Sequence, residues 1–208
     1  AMASKRFRHN SIASLRLDDG TIVSDHEKMA AALCQNFKNR MGTSHGIEMS
    51  FDLSSILHRV EGLDSLTKMF SKEEMDNTVK SMPIDKSPGP DGFNGPFFKK
   101  CWPIISKDFY ELASAFHEGS MNLENINYSY ITLVPKKKSP ESVNDFRPIS
   151  LFGMGVKFLS KMAANRLQLD IIRCLHKNQY GFIKSRTIQD CVAWTLEYLH
   201  QCHQSKRP

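Results

Sequence analysis

No run of the 208-residue sequence approaches the ~18–20 consecutive apolar residues that a membrane span needs. Behind the opening Ala1-Met2-Ala3-Ser4-Lys5-Arg6-Phe7-Arg8 there is no apolar stretch, so a secretory leader is not expected either. Cysteine is sparse and scattered: Cys34, Cys101, Cys174, Cys191 and Cys202, with no CxxC pair. An odd, unpaired set argues against a disulfide scaffold and for a reducing compartment, so nucleus or cytoplasm is the expected location, not secretion. Cys191, His200, Cys202 and His203 are metal-ligating by type. Cys202 and His203 are adjacent, however, and no paired spacing accompanies them, so no metal site is expected. Acidic residues are scarce in one part only. Residues 126–208 hold 5 Asp/Glu against 13 Lys/Arg, whereas residues 1–125 hold 17 against 15. The two balances, +8 and −2, make up the formal net charge of +6. This asymmetry favours a polyanion-facing surface in the C-terminal part, with plain solubility as the alternative.

What is present is a globular composition, 40% hydrophobic and 24% charged. Residues 5–10 form a short basic arm. The stretch 12–23 contains two short alternating runs joined by Asp18-Asp19-Gly20, a hairpin signal. Ser24 or Asp25 then caps a helix whose Met29, Leu33, Phe37 and Met41 recur every four residues, and Gly42 to Gly46 ends it. Residues 47–69 read as short helical pieces in a connector. Ser71 and Glu74 have capping-box spacing and open a helix through Met82, closed by Pro83.

Pro88, Gly89, Pro90, Asp91 and Gly92, after Ser87, cannot be helix or central strand and must be a fixed turn. Asp91 between Pro90 and Gly92 reads as an Asx-turn residue in preference to a catalytic acid. A helical piece over 94–101 and a separate helix over 103–118 are predicted next. The second begins at Trp102-Pro103, carries the stripe Ile104, Ile105, Phe109, Leu112, Ala113 and Phe116, and closes at Gly119. Tyr128 to Pro135 reads as a strand, Lys136 to Pro140 as a basic turn, and Phe146 to Leu151 as the antiparallel return. A long amphipathic helix over 157–175 carries Phe158, Met162, Leu169 and Ile172. A bend around Gly181 follows, then a last helix through Leu199, with frayed residues after it. The expected fold class is α+β: a mostly helical body with a small antiparallel sheet.

Four segments in order carry a resemblance: FSKEEMDNTVKSMPIDKSPGPDGFNGPFFKKCW (70–102), YITLVPKKKSPESVNDFRPISL (130–151), KFLSKMAANRL (157–167) and NQYGFIKSRTIQD (178–190). They resemble the upstream and fingers motifs of LINE-type (non-LTR) retrotransposon reverse transcriptases. The portion KRFRHNSIASLRLDDGTIVSDHEKM resembles the connector ahead of that polymerase, of a kind associated with plant elements. The resemblance implies two parts, a connector over 1–69 and a fingers and early palm region over 70–208. It also implies that the chain stops before the metal-binding aspartates of the palm. An intact relative would need magnesium. Asp145, Asp170 and Asp190 lie in different elements, so no catalytic residue and no cofactor are expected here. The family's usual proline is missing at Asp170-Ile171-Ile172, and Ser185 replaces a common glycine before Arg186.

The same resemblance implies nucleic-acid or nucleotide-phosphate contacts at Lys136, Lys137, Arg147, Lys157, Arg166, Lys184 and Arg186. Guanidinium forks and lysine point charges are chemically suited to phosphate oxygens. For Arg147 the competing expectation is a structural pair with Asp145 or Glu141. For Phe182, which could stack on a base, the expectation is a core plug. The turn Pro88 to Gly92 is expected to be a structural corner between helices and fingers. Weak binding of RNA or DNA by a domesticated, non-catalytic remnant is the expected function. A self-associating (homodimeric) or partner-binding protein module, or a piece of an active RNA-directed DNA polymerase, are the alternatives.

Overall fold

The computed structural model describes residues 11–42, 52 and 60–205. The basic arm 5–10 and the expected helical pieces over 47–51 and 53–59 lie outside the described residues. The chain forms two compact units, Ala1–Phe51 with Tyr130–Leu151, and Asp52–Ser129 with Phe152–Pro208. Chain order therefore does not follow spatial grouping: the 130–151 hairpin clusters with the N-terminal segment.

In the first unit, β1 (Leu15–Arg16) and β2 (Ile22–Val23) pair antiparallel, with Leu15 opposite Val23 and Arg16 opposite Ile22. The hairpin forms where Asp18-Asp19-Gly20 announced it. Gly20 has φ 85°, and Asp19 accepts a hydrogen bond from the Thr21 N–H at 2.8 Å. Only glycine takes that left-handed turn without strain. Helix α1 (His26–Met41) is capped by the Asp25 carboxylate on the Lys28 N–H and ends at Gly42, φ 68°. Met29 and Phe37 are buried, but Met41, expected on the same face, is 73% exposed because it lies in the last turn.

Strands β3 (Ser129–Pro135) and β4 (Phe146–Phe152) form the second two-stranded antiparallel sheet. Between them a 3₁₀ turn, Val143–Asp145, lets Asp145 accept from the Glu141 and Ser142 N–H groups at 2.9 and 3.0 Å. Those two bonds, and then Lys137 at 3.0 Å, hold the Asp145 carboxyl well below the usual carboxylate range. The Arg16 N–H donates to the Glu141 carbonyl at 2.7 Å, docking β1 beside this turn. Leu15, Met29, Val143 and Phe146 close the unit's small core.

The second unit is a three-helix core built by α2 (Lys72–Ser81), α3 (Gly95–His117) and α4 (Met154–Cys174). Met75, Val79, Phe98, Ala113, Phe158, Leu159 and Met162 are buried in it. Ser71 caps α2 by accepting from the Glu74 N–H at 3.1 Å, while the Glu74 carboxylate binds Arg166. Helix α3 is continuous through Pro103, where a break was expected. The Phe98 and Phe109 rings meet edge to face at 4.7 Å. Eleven residues of straight helix rise ~16 Å, more than two phenylalanines can span. Helix α3 therefore bends at Pro103 towards the core, and those aromatic contacts hold its halves together. Ile104, predicted on the apolar stripe, is 83% exposed. Asp76 accepts from the Tyr110 hydroxyl at 2.6 Å and the Trp102 indole at 2.8 Å, which lowers its pKa and raises that of Tyr110.

Helix α4 starts at Met154, three residues before the sequence suggested, and α5 runs Ile188–Ser205, so residues 200–205, expected to fray, are helical. Leu169, expected on the buried stripe of α4, is 80% exposed. None of the described residues of α5 is buried. Among the described residues, no helix is long and apolar enough to cross a membrane.

Candidate nucleic-acid interface

The corner Pro88 to Gly92 sets the start of α4. Gly92 donates to the Gly89 carbonyl at 3.0 Å and has φ 73°, closing a tight turn. A Cβ on Gly89 would lie 2.1 Å from the Phe152 carbonyl oxygen, so the two backbones touch where only glycine fits. Asp91 serves the Asx turn through the Phe93 N–H at 3.2 Å. Its other oxygen accepts the Met154 N–H, so a residue 63 positions earlier caps α4. Lys157 completes the joint by donating its ammonium to the Ser87 carbonyl at 2.8 Å.

Along α4, Lys157 and Lys161 are four residues apart and share a face. Lys86, Lys157 and Lys161 border a small apolar cleft of about 240 Å³ over Met82 and Met154. Beyond Lys161 two wider clefts adjoin. One, of about 650 Å³, runs past Asn165, Leu169 and Ile172 to Ile183 and Lys184. The other, of about 590 Å³, lies between α2 and the same Lys161, Asn165 and Lys184. Glu73 and Glu74 border the second, and Glu74 is neutralised by Arg166. Among the described residues, Lys161 and Lys184 have no ion-pair or hydrogen-bond partner, so their charges face the clefts.

The other expected contacts fall elsewhere. Arg166 is a structural clamp: Nε and Nη2 bind the two Glu74 oxygens at 2.6 and 2.7 Å. Its other donors reach the Lys68 and Met69 carbonyls, and the guanidinium lies 4.0 Å from the centre of the Phe70 ring. Arg186 donates to the His176 and Gln179 carbonyls at 2.7 and 2.6 Å, fastening the bend before α5. Lys136 donates to the Asn144 carbonyl at 2.7 Å, and Lys137 pairs with Asp145, so both ammonium groups serve their own hairpin. Arg147 is exposed on β4. Neither anticipated partner holds it, since Asp145 binds Lys137 and Glu141 binds Arg16 at 2.9 Å.

Phe182 overturns its expectation. It is 102% exposed with φ 65°, and the neighbouring Ile183 takes the buried place at 6% exposure. One register step along a fixed bend reverses which of two apolar residues enters the core. Lys86 carried no signal in the sequence, because an isolated lysine before a turn has no periodicity to place it.

Among the described residues no group of three His, Cys, Asp or Glu side chains is placed to hold a metal. The three aspartates weighed from the sequence have structural partners: Asp145 with Lys137, Asp170 with Arg173 at 3.0 Å, and Asp190 with the Thr187 hydroxyl at 2.8 Å.

No protein-family model matches the chain. It is 28% identical over 207 residues to the transposon TX1 uncharacterized 149 kDa protein of Xenopus laevis, covering 96% of this chain and 16% of that protein. It is 25% identical over 206 residues to the probable RNA-directed DNA polymerase from transposon BS of Drosophila melanogaster, covering 92% of this chain and 22% of that protein. The chain thus spans about a sixth and about a fifth of these relatives' lengths. At this modest identity it is related to transposon-encoded proteins of the reverse-transcriptase kind.

Proposed function

We propose that these 208 residues form a non-catalytic, nucleic-acid-holding part of a retrotransposon reverse-transcriptase-like protein of LINE type. The observation that carries this is the placement of Lys161 and Lys184 on adjoining clefts with no competing protein partner among the described residues. Lysines in that position neutralise backbone phosphates without selecting sequence. Lys86 and Lys157 extend the same cationic edge, and the +8 balance of residues 126–208 brings polyanions towards it. Arg166 and Arg186 hold its frame in place.

Anisotropy titration of labelled single-stranded RNA across a range of salt tests this. Binding is expected to be weak, indifferent to sequence, and lost between low and moderate salt. Each phosphate contact contributes about 0.7 to the log–log salt slope on a single strand. Replacing Lys161 and Lys184 together with alanine should therefore make the slope shallower by roughly 1.4 and weaken all sequences alike. An unchanged slope refutes the interface. Template-dependent primer extension with magnesium that survives repurification refutes the non-catalytic part.

A second reading, self-association, is favoured by α5. Its Ile188, Val192, Leu196 and Leu199, spaced three or four residues apart on one side, are all more than half exposed. A contiguous apolar face of that kind commonly marks an interface between proteins.

A further inference from the structure

We propose that Phe182 is a base-stacking residue and that the cleft beside it selects single-stranded over duplex nucleic acid. The inference rests on the nucleic-acid reading above and names the form of strand that the site takes. Phe182 is fully exposed, in a left-handed conformation that non-glycine residues seldom adopt. That conformation is held from both sides. Arg186 fastens the bend through the His176 and Gln179 carbonyls, and its own N–H donates to the Ile183 carbonyl at 3.0 Å. Ile183 anchors the next position in the interior. The ring is thereby held outward. Strained backbone that the surroundings over-determine is a recurrent mark of a ligand-contacting residue.

The surroundings identify the ligand. Residues 176–186 carry Lys177, Lys184 and Arg186, the aromatic Tyr180, and no Asp or Glu. Phe182 borders an apolar cleft of about 430 Å³ floored by Leu167, Ile171 and Leu175. Ile183 and Lys184, the next two residues, border the cleft that leads to Lys161. An aromatic face directly beside a cationic rim is the arrangement that holds unpaired nucleotides, with the base on the ring and the phosphates on the lysines. A duplex cannot use it, because its base faces are already stacked on one another.

The 208-residue chain is titrated with a short oligo(U) strand carrying one 2-aminopurine and with a hairpin RNA duplex. Phe182→Ala should weaken strand binding roughly five- to hundredfold, the range found when a stacking aromatic is removed. Duplex affinity and the salt slope should stay unchanged, since no cation is lost. Phe182→Trp should preserve binding and the change in 2-aminopurine fluorescence. Phe182→Leu, which keeps the apolar bulk without a π face, should behave like alanine. Strand affinity untouched by Phe182→Ala, equal losses on strand and duplex, or full activity of Phe182→Leu would each overturn the proposal. In those cases the effect of the Lys161/Lys184 pair on salt slope would still stand by itself. A wild-type chain that binds no strand at low salt would overturn both.

Discussion

Replacing Arg166 separates a structural arginine from a phosphate-binding one. The side chain is 13% exposed and its partner Glu74 26% exposed, so the pair is neither a surface bridge nor fully dry. Surface pairs contribute ~0–1 kcal/mol, whereas removing one partner from a buried pair costs ~3–5 kcal/mol. Arg166→Ala also frees the Lys68 and Met69 carbonyls and uncovers the Phe70 ring. Those groups border the partly open N-terminal end of α2, where water can replace some of the lost bonds. The expected cost is therefore about 2–4 kcal/mol, between the two limits. For a chain of this size that lowers Tm by roughly 5–12 °C. Arg166→Lys keeps the charge and loses the fork, so about half the cost should remain. Urea unfolding followed by circular dichroism gives the midpoints, and a double-mutant cycle with Glu74→Gln should return a coupling of ~1–3 kcal/mol. RNA affinity of folded Arg166→Lys, measured well below its midpoint, should equal that of the parent. If the variant keeps the parental midpoint within ~0.5 kcal/mol and loses RNA binding, Arg166 is a phosphate ligand and the structural assignment fails.

Gly89→Ala should be the most damaging small substitution, at about 3 kcal/mol or more, because its Cβ meets the Phe152 backbone and no rotamer can relieve it. Soluble protein with a parental melting curve would contradict this. Asp91→Ala removes the non-local cap of α4 and should cost about 1–2 kcal/mol. Asp91→Asn keeps one acceptor oxygen and sets an NH2 against the other N–H, so it should recover only part of that, and a parental midpoint for Asp91→Ala would show that the cap contributes nothing. The depressed pKa of Asp145 stabilises the fold above the ordinary carboxylate range, near pH ~4, and that contribution is lost as pH falls towards the folded value. Asp145→Asn should flatten the acid limb of the stability–pH profile and leave a constant difference at neutral pH. An unaltered acid limb rules the linkage out. The chain should self-associate through α5 in sedimentation velocity, and Leu196→Glu with Leu199→Glu should abolish it. A single species at monomer mass across a wide concentration range excludes self-association.

Much of the local structure was legible in the sequence because it is determined over a few residues. Asp18-Asp19-Gly20, Asp25, Ser71 and Gly119 each act on backbone groups close by, and the hairpin, caps and helix end stand where they indicated. The rigid turn at Pro88 to Gly92 follows equally from proline and glycine geometry, whatever surrounds it. The α+β class follows from the same local periods.

Distance in sequence is what hid the rest. Asp91 caps a helix 63 residues away and Arg166 reaches Glu74 across 92. Composition therefore showed how many cations the chain carries, but not which of them the fold already occupies. Pro103 seemed a helix start because its local cost is large, yet the aromatic contacts on both sides of it outweigh that cost. Phe182 and Ile183 are alike in hydrophobicity and adjacent in sequence. Which one turned inwards was decided by the bend that Arg186 fastens, a tertiary constraint that no periodicity encodes.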